Sequence, residues 1–237
     1  MFFTVPFTVY TYLSDRNCKL SLQGMAQLFQ EAAEMHCMHL GVGTEQLASR
    51  GKAWVLSRIC YRVVRRFPNI EEPVIYRTWS RGTDGLMAFR ECEILDAENN
   101  VLVACTSNWV IIDFNTRKVC RIGGEMDNYE NHDRKSVDVV PEKLAMPADM
   151  VSVLSFNAPY SSIDKNQHVN NAEYLRWIAD VLPDDLHKRI TGLDINYNLE
   201  TQSNEEVNIK EQIVNQTVWI QISNPRGIAV NAKVLLN

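Results

Sequence analysis

The chain has 237 residues, of which 46% are hydrophobic and 22% are charged, with a formal net charge of −5 at pH 7. That length can bury a substantial core as one or two domains. The acidic balance argues against general nucleic-acid binding, and no apolar run approaches the ~18 residues that would indicate a membrane-spanning helix.

The N-terminal residues are rich in aromatic and β-branched types, and residues 2–13 predict a strand. They lack the basic region and the small-residue cleavage site of a secretory signal. The six cysteines all lie at or before Cys120 and form no CxxC pair, which favours free thiols over disulfides or a zinc site. We therefore expect a cytoplasmic protein.

A helix is predicted next, because Ser21 is a typical N-cap and apolar residues then recur at helical spacing until Gly41. Its apolar positions are Leu22, Met25, Leu28, Phe29, Ala32, Met35 and Leu40. Strands are predicted near residues 53–66, 73–81, 86–96 and 101–113. We assign residues 1–121 to a first unit.

Residues 50–90 are the basic part of the chain, with nine Lys and Arg side chains against three Asp and Glu. One interpretation is a set of solvated strand faces. The other is a docking patch for an acidic partner, such as a carrier protein with a phosphopantetheine arm, with Arg62, Arg65 and Arg66 as its candidate contacts.

Residues 122–150 contain two glycines, two prolines and many charges, and we predict that they form a linker. A second unit is predicted at 151–237. It contains a strand at 151–160, a helix at 171–182 that ends before Pro183, and strands near 190–200, 206–214, 217–223 and 228–236.

The order of strand, helix and several strands thus occurs twice, and a short sequence echo accompanies it. Residues 15–17 are Asp-Arg-Asn before the first helix, residues 164–166 are Asp-Lys-Asn before the second, and Lys19 stands where His168 stands. Coincidence is the alternative for so short a stretch. A duplicated long helix against an antiparallel sheet indicates two α+β units joined along their sheets.

The segment 164–171, Asp-Lys-Asn-Gln-His-Val-Asn-Asn, carries the most chemistry. Asp164, Asn166, His168 and Asn170 alternate, so an extended backbone would place all four side chains on one face. The N-terminus of the helix that follows would add backbone N–H donors. This arrangement predicts a site for a carbonyl substrate, although His168 alone could simply bond backbone groups.

Several segments resemble the acyl-(acyl-carrier-protein) thioesterase family. Residues 164–174 resemble its D-x-N-x-H-V-N-N-x-x-Y motif. Further matches lie, in chain order, at 53–58 (Ala-Trp-Val-Leu-Ser-Arg), 78–79 (Thr-Trp), 104–110 (Ala-Cys-Thr-Ser-Asn-Trp-Val), 116–117 (Thr-Arg) and 195–200 (Ile-Asn-Tyr-Asn-Leu-Glu). Together they extend over nearly the whole chain.

The resemblance implies an α+β double hotdog fold, in which each of two units wraps an antiparallel sheet around a long helix. It implies hydrolysis of the thioester of a fatty acyl-carrier protein in the C-terminal unit, with no cofactor and no metal, while the N-terminal unit binds the acyl chain. Plant members begin with a transit peptide. Because this chain begins at its first strand, we expect a bacterial, cytosolic member.

Thioester hydrolysis needs a general base that activates water and donors that stabilise an oxyanion. The catalytic candidates are Asp164, Asn166, His168 and Glu200. The resemblance slightly favours Glu200 over Asp164 as the base, with Asn166 and His168 orienting the carbonyl and the water. Since no cysteine follows Cys120, attack by water is favoured over a Cys–His pair.

Glu200 also has an interpretation that gives it no catalytic role. It alternates with Asp194, Asn196 and Asn198, which on pattern alone indicates a solvated strand face. A bulge or a strand end would be needed to turn Glu200 inward.

Five residues are predicted to bind substrate. They are Asn170 and Asn171 at the second helix, and Met25, Phe29 and Trp54 in the first unit. At least one of the two asparagines is expected to be the helix N-cap. The resemblance implies that the three apolar residues line the acyl tunnel, and a plain core role is the alternative.

The leading function is release of a free fatty acid from acyl carrier protein. The alternatives are an acyl-CoA thioesterase, a hotdog dehydratase, whose motifs differ from D-x-N-x-H, and a non-catalytic acyl-binding hotdog protein, which would not need the polar row. No nucleic-acid partner is expected. A double hotdog already contains the pairing that single hotdogs obtain by dimerising, so monomer and homodimer both remain open.

Overall fold

This computed structural model of the chain describes residues 2–237. The first half contains β1 (Phe3–Thr8), α1 (Leu22–His39), α2 (Thr44–Ala48), β2 (Lys52–Val63), β3 (Pro73–Thr83), β4 (Ala88–Leu95), β5 (Val101–Asp113) and β6 (Val119–Cys120). The second half contains β7 (Val151–Asn157), α3 (Asn171–Val181), β8 (Ile190–Tyr197), β9 (Glu206–Val214), β10 (Thr217–Asn224) and β11 (Gly227–Leu236). Both long helices and all the predicted strands are present, whereas α2 and β6 are additional.

The strands of the described chain form one antiparallel sheet, in the order β1-β3-β4-β5-β2-β8-β11-β10-β9-β7, with β6 paired to β5. The two halves on either side of the central β2–β8 pair repeat the same order. That pair is in register from Arg58 opposite Asn196 to Arg62 opposite Gly192. The predicted arrangement of two α+β units joined along their sheets is therefore confirmed.

The two long helices begin alike and lie together on one face of the sheet. Ser21 Oγ accepts a hydrogen bond from Gly24 N at 2.9 Å, which caps α1 as its sequence predicted. The helices touch where Gln23 Nε2 donates to Glu173 Oε1 at 2.6 Å. One apolar cluster contains the buried faces of both helices and strands of both halves, so the halves bury their apolar surface against a common core.

Residues 131–144, here called the strap, cross the opposite face of the sheet. Trp79 Nε1 donates to the Arg134 carbonyl at 2.8 Å, and Ser136 N donates to Glu91 Oε2 at 2.9 Å. Farther along, Asn196 Nδ2 donates to the Glu142 carbonyl at 3.0 Å. The strap thus runs from the first half across to β8 and covers polar side chains that the helices do not reach.

Candidate active site

Residues 164–168 form a tight turn, and the extended polar row predicted from their alternation is wrong. Asp164 Oδ1 accepts from Asn166 N at 2.8 Å, and Asp164 Oδ2 accepts from Asn166 Nδ2 at 3.4 Å. Asp164 N donates to the His168 carbonyl at 2.9 Å, and Gln167 takes a φ of 65°. An Asp that bonds the backbone two residues on favours such a turn over a strand.

The first unit contains the same turn ahead of α1. Asp15 Oδ1 accepts from Asn17 N at 2.8 Å, Asp15 Oδ2 accepts from Asn17 Nδ2 at 3.3 Å, and Asp15 N donates to the Lys19 carbonyl at 2.7 Å. The sequence echo is therefore a structural repeat. Because both copies keep the Asp-x-Asn pair, turn formation alone accounts for it, and the two copies differ in chemistry at His168.

Glu200 lies three residues beyond the last residue of β8, where the chain has left the sheet. Its backbone carbonyl accepts hydrogen bonds from Asn224 Nδ2, at 2.9 Å, and from Arg226 Nη2, both at the β10–β11 hairpin. A strand end turns the residue away from the alternating pattern, so the solvated-face interpretation of Glu200 is wrong.

The same interpretation is wrong for two of its predicted neighbours. Asp194 and Asn196 are 6% and 4% exposed. Asp194 bonds Arg62 and Lys233, at 2.5 and 2.9 Å, and Asn196 bonds the strap. Burial raises the pKa of Asp194, but the hydrogen bonds from Arg62 and Lys233 outweigh it and hold that pKa below its ordinary value.

The central contact of the site joins His168 to Glu200. His168 Nε2 lies 2.9 Å from Glu200 Oε2, and the same carboxylate oxygen contacts Arg117 Nη2 from the first unit. The side chains of His168 and Glu200 are 20% and 33% exposed, so solvent reaches the pair. A carboxylate held by an imidazole and open to water has the geometry of a general base.

Among the described residues, no hydrogen bond joins the side chain of Asp164 or Asn166 to this pair. Asn166 is exposed, and Asp164 is engaged within the turn. The structure thus brings together two of the four predicted catalytic residues directly and ties the other two to them through the backbone of the turn.

The first unit has different residues at the positions of this pair. Val169 N donates to the Thr201 carbonyl at 2.8 Å in the second unit, and Leu20 N donates to the Pro68 carbonyl at 2.8 Å in the first. By this equivalence Phe67 stands in place of Glu200, as Lys19 stands in place of His168. The first unit accordingly lacks the carboxylate and the imidazole at its turn.

Thr201, the residue after Glu200, has a structural place. It is fully buried, and its Oγ1 accepts a hydrogen bond from Asn224 Nδ2 at 3.0 Å. Burial and this bond keep the hydroxyl away from any substrate carbonyl at the His168–Glu200 surface.

Asn170 is the N-cap of α3, because its Oδ1 accepts from Ala172 N at 2.8 Å. Asn171 is the first residue of the helix, and its carbonyl accepts from Tyr197 Oη at 3.3 Å. Burial raises the pKa of Tyr197 well above its ordinary value and that of Tyr174 to about 12, so both phenols stay neutral beside the helix start. Substrate binding by the two asparagines remains a prediction.

The three apolar residues predicted to line an acyl tunnel lie in two places. Met25 and Phe29 lie on the buried face of α1 and are each 1% exposed. Met25 packs closely against strands β2–β5 with no internal space large enough for a water molecule, and Phe29 packs edge-on against Tyr61 with ring centroids 6.4 Å apart. Trp54 belongs to a smaller apolar cluster and donates Nε1 to the Val42 carbonyl at 3.2 Å.

The three arginines predicted to dock a carrier protein differ in their surroundings. Arg62 bonds the buried Asp194, and Arg66 makes two hydrogen bonds of 2.7 Å to the carboxylate of Glu72. Arg65 is exposed. Of the three, Arg65 is the exposed side chain without an ion-pair partner among the described residues, whereas Arg66 keeps 41% of its side chain exposed beside Glu72.

Two family profiles match the sequence. That of the acyl-ACP thioesterase N-terminal domain matches residues 1–129, and that of the acyl-ACP thioesterase C-terminal domain matches residues 146–227. The chain belongs to the acyl-ACP thioesterase family. The family resemblance drawn from the sequence motifs is thereby confirmed.

Curated relatives in this family include plant proteins. Oleoyl-acyl carrier protein thioesterase 2 of Arabidopsis thaliana is 26% identical over 224 residues, which are 85% of this chain and 60% of the relative. Dodecanoyl-[acyl-carrier-protein] hydrolase of Cinnamomum camphora is 26% identical over 221 residues, covering 84% of this chain and 56% of the relative. The chain thus spans about 60% of the length of the first of these plant relatives.

Solved structures share the whole fold. An acyl-ACP thioesterase from Bacteroides thetaiotaomicron superposes with a TM-score of 0.91 at 23% identity, over 99% of this chain and 97% of that one. A structure titled as a putative oleoyl thioesterase from Lactobacillus plantarum gives a TM-score of 0.90 at 23% identity, over 100% and 97%. These likenesses confirm the predicted α+β double hotdog.

Three further observations concern chemistry outside the pair. Within residues 2–237, no group of three or more His, Cys, Asp or Glu side chains is placed to hold a metal ion. No helix in that range has the length and apolar character needed to cross a membrane. Cys92 and Cys105 lie directly opposite each other on β4 and β5, and the other four cysteines, Cys18, Cys37, Cys60 and Cys120, are free thiols.

Proposed function

We propose that this chain hydrolyses the thioester of a fatty acyl-carrier protein and releases a free fatty acid. One observation carries the proposal. In a member of the acyl-ACP thioesterase family, the 2.9 Å contact between His168 and Glu200 is formed at the turn of the second unit, whereas the first-unit turn has Lys19 and Phe67 at these positions.

In the proposed reaction Glu200 is the general base. Its Oε1, the oxygen not contacted by His168 and Arg117, takes a proton from water as the water oxygen attacks the thioester carbonyl carbon. When the tetrahedral intermediate collapses, the carbon–sulfur bond breaks and the fatty acid forms. The proton returns from the Glu200–His168 pair to the sulfur, which leaves as the phosphopantetheine thiol. Asp164 is the weaker candidate for the base, because Asn166 occupies both of its oxygens.

The N-terminus of α3 supplies the proposed oxyanion site. The first N–H groups of a helix have no intrahelical partner and carry partial positive charge, which suits a developing oxyanion. Because the Ala172 amide already donates to the Asn170 cap, the backbone N–H of Asn171 is the proposed donor to the oxyanion. Asn166, exposed on the turn, is proposed to orient the substrate carbonyl from the other side.

A substrate panel tests the proposed function. The purified protein would be incubated with matched acyl-ACP and acyl-CoA thioesters of medium and long chain, and free thiol would be followed over time. We expect hydrolysis with higher kcat/KM for acyl-ACP. Preference for CoA would assign the chain to acyl-CoA hydrolysis, and no hydrolysis of any thioester would leave an acyl-binding role.

Acyl carrier protein is the proposed partner, and Arg65 is the remaining docking candidate. Arg65 lies beyond the residue pair Arg62–Gly192, at the end of the β2–β8 pair that is remote from Glu200. At about 3.3 Å per strand residue, the distance from Arg65 to the Glu200 end of this pair is on the order of 25 Å. Docking there requires the carrier arm to run along the join between the units.

Charge reversal at Arg65 tests this docking site. We expect Arg65→Glu to raise KM for acyl-ACP by roughly 10-fold, because rim charges act mainly on association, and to leave a small acyl thioester unaffected. Lys210→Glu is the matched control, since Lys210 is exposed on β9 in the other unit. Equal effects of both variants on both substrates would rule out docking at Arg65.

A cytoplasmic location and the choice between monomer and homodimer remain predictions. The free thiols of Cys18, Cys37, Cys60 and Cys120 are compatible with a reducing compartment. Size-exclusion chromatography with light scattering would determine the oligomeric state directly.

A further inference from the structure

Arg117 reaches the active-site pair from the other unit. It lies in the hairpin between β5 and β6, and its Nη2 contacts Glu200 Oε2 across 83 residues of sequence. That oxygen is the one that His168 Nε2 also contacts at 2.9 Å. One carboxylate oxygen is therefore held between an imidazole of the second unit and a guanidinium of the first.

The hairpin that carries Arg117 is well defined. Asp113 Oδ1 accepts hydrogen bonds from Asn115 N at 3.0 Å and from Thr116 N at 2.8 Å, and Arg117 N donates to the Asp113 carbonyl at 2.9 Å. Arg117 itself has a φ of 56°, a left-handed conformation that is uncommon for a residue other than glycine. The turn thus fixes the direction in which the arginine side chain leaves the backbone.

Stability alone is a poor explanation for this contact. The side chains of Arg117 and Glu200 are 53% and 33% exposed, and exposed ion pairs contribute little to folding. A cation beside a carboxylate has a larger effect on its charge and orientation, which are the properties a general base needs.

We infer that Arg117 is a positioning residue for the proposed hydrolysis, supplied by the N-terminal unit, and that it holds the Glu200 carboxylate aligned against His168. The inference rests on the proposed function. It makes the active site a composite of both units, so the second unit alone lacks one of the groups that prepare the base.

The charged groups around Glu200 come from three elements. His168 comes from the turn before α3, Arg117 from the β5–β6 hairpin, and Arg226 from the β10–β11 hairpin. Arg226 bonds the backbone carbonyl of Glu200 and, at 3.1 Å, the carboxylate of Glu205. Arg117 is thus the arginine that acts on the Glu200 side chain.

Arg117→Gln tests the inference, with Arg117→Lys as the conservative variant and Lys118→Gln as the control. Lys118 is the next residue, is exposed, and loses the same unit of charge on substitution. We expect Arg117→Gln to lower kcat on acyl-ACP by roughly 10- to 100-fold through misalignment, with KM little changed.

Arg117→Lys should recover part of kcat, and Lys118→Gln should match the wild type. If Arg117→Gln matches Lys118→Gln in kcat, the inference is overturned. These kinetic outcomes presuppose that the wild-type protein hydrolyses thioesters.

A second measurement separates this inference from the proposed function. The NMR chemical shifts of the His168 ring, measured at one fixed pH, should differ from wild type in Arg117→Gln and not in Lys118→Gln, because the carboxylate that the ring contacts is no longer held by the arginine. If the wild type hydrolyses no thioester and this difference is still present, only the proposed function fails. If the His168 chemical shifts of the two variants coincide, the positioning role fails.

Discussion

At the scale of single residues, the structure separates the turn-forming pair Asp164 and Asn166 from His168, which contacts Glu200. Asp164 and Asn166 repeat the hydrogen bonds that Asp15 and Asn17 make in the first unit. His168 has its own partner in Glu200. The Asp-x-Asn pair therefore positions His168. A sequence motif alone cannot distinguish such a positioning role from a direct catalytic role.

Paired substitutions test this division. Asp15→Ala and Asp164→Ala should each lower the free energy of unfolding by about 1 kcal/mol, because each removes the hydrogen bonds that the carboxylate accepts within its turn. Only Asp164→Ala should lower kcat, by roughly 100-fold, since its turn carries His168. Chemical denaturation and acyl-ACP hydrolysis would be measured on both variants.

Asp15→Ala serves here as the control for the fold, since its turn bears Lys19 in place of the imidazole. Loss of activity in Asp15→Ala as large as that in Asp164→Ala would contradict the division of roles. Retention of full activity in Asp164→Ala would remove Asp164 from the site altogether.

The motif at 164–171 could be found from sequence because its residues are contiguous. The contact of Glu200 with Arg117 could not, because it joins side chains 83 residues apart and no periodicity links them. Thr116-Arg117 was visible as a family-like segment, and that is the signal that could have directed attention to it.

At the scale of elements, hydrophobic periodicity predicted the helices and strands well and failed where one element covers another. Asp194 and Asn196 lie at alternating positions, a pattern that indicates a solvated strand face. In the structure both are buried, because Asn196 bonds the strap and Asp194 bonds the side chains of Arg62 and Lys233. The strap is an irregular segment, so its position on the sheet depends on long-range hydrogen bonds that local patterns do not encode.

The link between β2 and β3 should give the fold a measurable dependence on acid. Hydrogen bonds from Arg66 lower the pKa of Glu72 from its ordinary 4.5 to about 2. A carboxyl whose pKa is lower in the folded state stabilises the fold above its unfolded pKa, and this contribution is lost as pH falls through the folded value. The relevant window is therefore pH 4.5 down to about 2.

In Arg66→Gln, the stability of the fold should decrease less than in the wild type as the pH falls through this window. We expect the substitution to remove about 1–2 kcal/mol of stability at neutral pH, a figure that allows for the solvent around the 41%-exposed Arg66 side chain, and less near pH 2. Urea unfolding at several pH values would measure this. A stability difference from wild type that does not change with pH would contradict the assigned pKa shift.

At the scale of the whole molecule, the two units share one sheet and one core. The β2–β8 pair joins them, the strap crosses from one to the other, and α1 touches α3. Their apolar residues form one cluster. Separate folding of the units would expose the surface that each buries against the other.

We therefore expect a single cooperative unfolding transition. In calorimetry, the van't Hoff and calorimetric enthalpies should agree for the whole chain. Asp194→Ala, at the join between the units, should lower Tm without splitting the transition, because it leaves Arg62 and Lys233 without their shared carboxylate. Two resolved transitions would show that the units unfold independently.

Glu200→Gln tests the proposed hydrolysis most directly, because the amide keeps the size of the side chain and cannot take a proton from water. The measurement is kcat/KM for acyl-ACP, with circular dichroism to establish that the fold is unchanged. We predict a loss of roughly 1,000-fold, in the range that removal of a general base produces. A variant that keeps more than about one tenth of the wild-type kcat/KM would contradict the role of Glu200 as the base.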